Sequence, residues 1–274
     1  MVRWYADDLS RLLTGRFTPE AVHSVVVITK FPEALLTEQL RSVLAAFDQV
    51  VVQATVTGLG GGPLEPRVPP AEVTLAALPR IIEFVGGPER VAVRIDPIVH
   101  WAAADGPRDP AELRSNIDLF GDIARRAAEL GVRCVKTSLV TPYPKVKARF
   151  AAAGLELVEL TGDRREAILS RLEREAARAG VRLDFCCEPT RPRTACVDAA
   201  TLTRLHPRGL PARPDRASGQ REHCGCTHAI DLAWYSTHPC PSGCLYCYAN
   251  PVVGARPKTG RRGPGTRAAG TADG

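Results

Sequence analysis

The sequence predicts an α/β fold: a partial or complete (β/α) barrel of TIM type, with a cysteine-rich lobe at its C-terminal end. Three observations predict it. Five short β-branched runs alternate with segments of helical periodicity, the pattern of parallel βαβ units. The runs are nearly continuous in apolar residues, as in buried parallel strands. After about residue 189 the periodicity fades, and proline, arginine, cysteine and glycine take over.

The elements follow in order. The first strand is Ser24–Thr29 (SVVVIT), and a helix over Leu35–Phe47 has apolar residues at 35, 36, 40, 44 and 47. The second strand is Val50–Val56 (VVVQATV). A glycine-rich stretch, GLGGG at 58–62, follows it and reads as a flexible loop rather than a phosphate cradle. It lacks the lysine and hydroxyl of a P-loop, and Pro63 follows at once. The next helix, Pro70–Val85, begins at a proline tolerated in a first turn. The third strand is Val91–Ile95 (VAVRI), followed by a helix over Pro110–Leu130. The fourth is Arg133–Ser138 (RCVKTS), with helices over Lys145–Ala153 and Asp163–Ala179. The fifth is Val181–Cys186 (VRLDFC). Gly131, Gly154 and Gly180 follow their helices as C-terminal caps do. A doubly wound sheet is the alternative, and in both arrangements functional groups gather at the carboxyl ends of the strands. The chain therefore divides into a barrel-like part (1–188), a cysteine-rich lobe (189–252) and a disordered basic tail (253–274).

Bulk properties narrow the class. A chain of 274 residues with 45% hydrophobic residues can bury a sizeable core. No apolar run reaches eighteen residues, so no membrane span is expected. The segment MVRWYADDLS carries two aspartates and no apolar h-region, which points to a cytoplasmic protein. The formal net charge of +6 is concentrated near the end. There Arg256, Lys258, Arg261, Arg262 and Arg267 face one acid, Asp273. Without interleaved aromatics, such a run is a weak signal for nucleic acid. Nine cysteines in a chain with no secretory signal point to metal rather than disulfides.

Cys240, Cys244 and Cys247 form C-x3-C-x2-C in the stretch CPSGCLYCY. A zinc site prefers four ligands from two short pairs; His238 is the candidate fourth here. A four-iron cluster can instead be held by three thiolates, with one iron open. Cys187, Cys196, Cys224 and Cys226 make a second set of four, suited to an auxiliary [4Fe-4S] cluster or a structural zinc. Cys134 reads as a small core residue, and Cys186 is expected to point away from Cys187 and to be structural.

The spacing, with Tyr246 just before the last cysteine, resembles that of radical S-adenosylmethionine enzymes. The segment REHCGCTHAIDLAWYSTHPCPSGCLYCYAN (221–250) resembles the C-terminal signature of the domain-of-unknown-function 1848 family, with further matches at ITKFP (28–32), VRIDP (93–97) and CCEP (186–189). The resemblance implies a barrel-like relative of spore photoproduct lyase whose cluster motif sits at the C-terminal end. It implies [4Fe-4S] clusters, one or two, with S-adenosylmethionine as cofactor. It also implies an electron donor such as flavodoxin or ferredoxin, and leaves the substrate open. The family begins with a strand bearing Ser-Arg-Arg-Thr-Asp, and this sequence starts at MVRWYADD; the expectation is that either the true start lies upstream or the barrel lacks its first strand.

Other residues carry two readings each. Arg94 and Asp96 at a strand end orient substrate or cofactor, or form a salt bridge at the rim. Lys30 ends the first strand and binds a carboxylate or phosphate, or is structural. Glu188 accepts a cofactor amine or a loop N–H. Tyr246 is expected near the cofactor adenine. His100 and Trp101 line a pocket or pack a helix against the rim. The alternatives to an enzyme with a radical mechanism are a non-enzymatic zinc or electron-transfer protein and a nucleic-acid repair enzyme.

Overall fold

A computed structural model describes residues 1–104, 113–232 and 237–254. The chain begins with α1 (Ala6–Gly15), β1 (Val25–Thr29), a 3₁₀ turn (Pro32–Leu36), α2 (Glu38–Ala45) and β2 (Val50–Thr55). Then come α3 (Ala71–Val85), β3 (Val91–Ile98), β4 (His100–Ala103), β5 (Arg114–Ser115) and α4 (Phe120–Glu129). The remaining elements are β6 (Cys134–Leu139), α5 (Pro144–Ala152), β7 (Leu155–Leu157), α6 (Gly162–Ala179), β8 (Arg182–Phe185) and α7 (Ala199–Leu205).

All five expected strands form and pair in parallel, in the order β1-β2-β3-β6-β8. The order never reverses, so the sheet is wound in one direction, and the doubly wound alternative is set aside. Among the described residues no sheet closes: β1 and β8 remain edges. A complete barrel is therefore not formed. Right-handed crossovers that always step the same way put their helices on one face. On that face Val27, Val52, Ala54, Val93, Ile95 and Val135 share one core with Leu40, Leu44, Leu75, Leu78, Ile81, Ile123, Leu169 and Leu172. Side chains alternate along a strand, so the intervening residues face the other way. They form a polar row in register, Thr55–Arg94–Lys136–Asp184, beside Gln53. The strands are thus apolar toward the helices and charged on the opposite, inner face.

Residues 193–228 lie across this inner face, held by hydrogen bonds from the sheet. Lys136 Nζ donates to Ala195 O (2.8 Å), Gln53 Nε2 to Cys196 O, and Gln49 Nε2 to Leu202 O (3.0 Å). Thr194 Oγ1 donates to Phe185 O (2.6 Å). Within this segment α7, which periodicity did not reveal, is capped by Asp198 accepting from the amides of Ala200 and Thr201. A second sheet, β5-β4-β7, is antiparallel and was also unforeseen. Buried Asn116 ties it to the main sheet, donating to Thr57 O (3.0 Å) and Pro97 O (3.1 Å) and accepting from Val99 N (2.8 Å).

The expected helices form, with two boundary corrections. Leu35–Phe47 splits at Thr37 into the 3₁₀ turn and α2. The helix expected over Pro110–Leu130 starts only at Phe120, after a short 3₁₀ turn, because β5 occupies 114–115. Gly131 and Gly180 do take left-handed φ, 83° and 69°, where a side chain is disfavoured. Pro110 and the basic tail from residue 255 lie outside the described residues. No described helix is long and apolar enough to cross a membrane.

Candidate functional site

The carboxyl ends of the strands carry two groups of cysteines. All nine cysteines are free thiols, as a metal-directed reading requires.

The C-x3-C-x2-C loop folds down onto the end of the sheet beside β1 and the loop after β2. Leu245 N donates to Leu64 O (3.1 Å), and Cys244, Leu245 and Tyr246 are buried in the main core. Positive φ at Gly243 (73°) lets the chain turn between the first two cysteines. Arg67 clamps the loop's flanks, donating to the carbonyls of Pro241, Val252 and Gly254. Arg149 donates to the carbonyls of Leu245 (2.8 Å) and Cys247. The three thiols lie within electrostatic reach of one another. Burial pushes the Cys244 thiol up to about 12, opposed by the nearby Lys30 ammonium.

At the centre of this seat is Glu65, fully buried, which sequence reasoning missed. Its Oε1 accepts from Lys30 Nζ (2.9 Å), Thr57 Oγ1 (2.6 Å) and the Tyr246 hydroxyl. Its Oε2 is buried without a partner among the described residues. Lys30 also sits over the Tyr246 ring, 5.5 Å from its centroid. The only signal for Glu65 was an acid in a Gly/Pro loop after a strand. That loop is packed rather than loose: Gly61 N donates to Glu65 O (3.0 Å), and a Cβ at Gly60 would meet Pro69 O at 1.9 Å.

His238, the proposed fourth zinc ligand, is engaged elsewhere. Its ring packs edge-on to Tyr5 at 4.7 Å and its Nε2 lies 3.4 Å from Asp8 Oδ2.

The second group is larger than expected. Cys186 does not point away: its Sγ is 3.9 Å from Cys187 Sγ and 4.0 Å from Cys196 Sγ. Strict alternation would separate adjacent side chains, but Cys187 has φ 56°, and this left-handed residue turns both cysteines to one side. Cys187 lies within electrostatic reach of Cys224, and Cys196 N donates to Cys226 Sγ (3.1 Å). The sulfurs therefore run 224–187–186–196–226. The sulfur neighbours Cys186 and Cys226, together with Arg94 Nη1 at 2.8 Å, push the Cys196 thiol well below the usual thiol range. Its partners Cys186 and Cys226 are correspondingly raised. Cys134 stands apart, beside Asp184 and Arg182.

Arg94 also donates to Gln53 Oε1 (3.1 Å) and pairs with Asp96, whose other oxygen accepts from Ser138. Both residues thus form a rim salt bridge, and Arg94 additionally supports a cysteine. Glu188 is buried; it pairs with Arg165 and accepts from Thr190 N (3.4 Å) and Oγ1 (3.1 Å), so its loop role is filled. His100 and Trp101 are buried in or beside the second sheet, which fits packing. Among the described residues no three His, Cys, Asp or Glu side chains converge to hold a single metal ion.

A one-way parallel α/β sheet bearing two cysteine groups at its carboxyl ends defines a cysteine-rich α/β protein. The sequence model of the family described as "Domain of unknown function (DUF1848)" matches residues 9–249, and the chain belongs to that family. No curated protein and no solved structure matches the chain.

Proposed function

We propose that the protein is an iron–sulfur enzyme of the radical S-adenosylmethionine type, built on a partial (β/α) barrel. In this reading Cys240, Cys244 and Cys247 hold the catalytic [4Fe-4S] cluster, and an auxiliary cluster or metal sits among Cys187, Cys196, Cys224 and Cys226. The single observation that carries it is the seat of the C-x3-C-x2-C loop. Three thiols lie within electrostatic reach of one another beside the carboxyl end of β1, while His238 is engaged by Asp8.

The donor chemistry fits. Thiolates are soft ligands suited to iron–sulfur clusters, and a cluster binds each thiolate through a different iron. The three need not converge on one point, in keeping with the failure of any three groups to do so. When bound, such a cluster supplies one electron to the sulfonium of S-adenosylmethionine. This chain's residues do the rest. Lys30 places a positive charge beside Cys244 and so favours its thiolate. Buried Tyr246 and Leu245 exclude water from one side of the loop. Arg67 and Arg149 fix its backbone. Tyr246, Glu188, Arg94, Asp96 and Lys30 remain candidates for cofactor or substrate contact. An electron donor such as flavodoxin or ferredoxin would be the partner, in the cytoplasm.

One observation favours a second reading, a metal-stabilised binding or electron-transfer protein. Sulfur contacts of 3.9 and 4.0 Å approach the edge of a tetrahedron with metal–sulfur bonds of ~2.3 Å, which is about 3.8 Å. Those two spacings, both made by Cys186, match zinc–thiolate edges pair by pair, although no three of the described groups converge on one point.

The test is anaerobic reconstitution with iron, sulfide and zinc counts, then EPR of the reduced protein with and without S-adenosylmethionine. About eight irons per chain and a spectrum that changes with the cofactor support the proposal. Zinc alone, or a spectrum blind to the cofactor, supports the second reading. Cys244→Ala is expected to abolish reductive cleavage of S-adenosylmethionine, and unchanged cleavage would sink the assignment.

A further inference from the structure

A half-open cavity lies away from the C-x3-C-x2-C loop, between the inner face of the sheet and the 193–204 segment. It reaches the amino ends of β3 and β6 and has a volume of about 690 Å³. That is within the range of small-molecule sites, roughly 300–1,000 Å³.

Its two sides differ in chemistry. Toward β1–β3 the wall has an apolar strip, Val26, Val51 and Ala92 with Leu202 opposite, bordered by Gln53, Glu89 and Arg90. Toward β6 and β8 they are charged. The floor there is the Lys136–Asp184 pair at 2.6 Å, and Arg182 Nε also binds Asp184 (3.0 Å). These charges satisfy one another. The rim does not balance: the cavity is lined by six cations and three acids, and Arg133, Arg193 and Arg204 are exposed and form no ion pair among the described residues. One of the acids, Asp198, is occupied in capping α7.

We propose that this cavity is a binding site for a small amphipathic oxyanion, an apolar body ending in a carboxylate or phosphate. The body lies on Val26, Val51, Ala92 and Leu202, and the anionic head meets the unpaired arginines. The guanidinium fork matches both head groups, in two parallel hydrogen bonds. The apolar wall supplies the burial that a free inorganic anion would not use. Lys136 and Asp184, already paired, offer polar contacts at the boundary without adding net charge. Cys196, assigned above to the auxiliary metal, lines one edge of the cavity, but none of the groups that would hold the body or the head is a cysteine, so the binding test is read without metal.

Isothermal titration of the full-length purified protein with octanoate, octyl phosphate and octanol tests this. The expected result is one-to-one binding of octanoate or octyl phosphate, with octanol at least tenfold weaker. The ratio of the two anions identifies the preferred head group. Arg133→Ala with Arg193→Ala alters only exposed side chains; it should weaken anion binding by roughly tenfold or more while the circular dichroism spectrum is unchanged. Ala92→Phe should fill the apolar end and abolish binding. Equal affinity for octanol, unchanged affinity in the double arginine variant, or no binding of either anion would overturn the proposal.

Discussion

Single side chains carry two of the molecule's clearest physical commitments. His100 is buried, with Nε2 unpartnered among the described residues, and burial pushes its pKa down to about 4 from 6.5, against an opposing pull from Asp118. The folded state therefore excludes a proton that the unfolded chain accepts. Between those two values the unfolded state binds more protons, so stability rises with pH there. Acidification from pH 6.5 to 4 should cost roughly 2–3 kcal/mol through this ring. Denaturant titrations of the protein and of His100→Phe should diverge in slope over that window; parallel curves would show the ring to be solvated. Glu65 is the second commitment. Glu65→Gln leaves Lys30 without its counter-charge in a largely buried seat, which should cost about 2–4 kcal/mol. A double-mutant cycle with Lys30→Met should return a coupling of about 1–3 kcal/mol, whereas additive effects would deny the pair. Glu65 illustrates why site residues escape sequence reading. Its neighbours in space, Lys30 and Tyr246, are distant in the chain, and periodicity carries no information about a loop carboxylate. The cysteines, by contrast, were legible because their chemistry is rare and their spacing short.

At the scale of elements, the five strands were legible because their helix-facing residues are apolar and mostly β-branched, with Leu183 and Phe185 of β8 the exceptions in kind. The second sheet was not. Its strands are two to four residues long and lie inside connections, too short for a period of two to show. Cys187 shows the same limit on a smaller scale: alternation assigned Cys186 to the opposite face, and a single left-handed residue reversed it. The loop after β2 was taken as flexible from its glycines. The structure gives those glycines a different purpose, close approach, since a Cβ at Gly60 would overlap the Pro69 carbonyl. Gly60→Ala should then force the loop from its place and destabilise the protein by about 1–3 kcal/mol. Because Leu64 and Glu65 seat the cysteine loop, the same variant should react faster with a thiol reagent at Cys244, read by mass spectrometry of the labelled peptide. An unchanged labelling rate would mean the cysteine loop holds its position without this support.

Across the whole molecule the cysteine-rich lobe was expected as a distinct part of the chain, since its composition supplies little core of its own. The structure explains how it is ordered nonetheless. Leu245 and Tyr246 belong to the same apolar core as the strands and helices. Residues 193–228 are held by Gln49, Gln53 and Lys136 as well as by bonds of their own, such as Gly225 N to Thr194 O (3.0 Å) and Thr227 N to Val197 O (2.9 Å). The inner face of the sheet explains the converse. Its charged row, Thr55–Arg94–Lys136–Asp184, would be costly if covered by an apolar layer, and the lobe answers it with carbonyls and a thiolate. Each part therefore completes the other, and neither should persist alone. Calorimetry of the metal-free protein should show one cooperative transition whose calorimetric and van't Hoff enthalpies agree. Metal that binds only the folded thiol clusters should raise the midpoint of that single transition, by an amount that grows with free metal concentration. Two separated transitions, or a metal-induced shift confined to one of them, would show that the lobe folds independently of the sheet and that the hydrogen bonds from Gln53 and Lys136 are a consequence of docking rather than a condition for it.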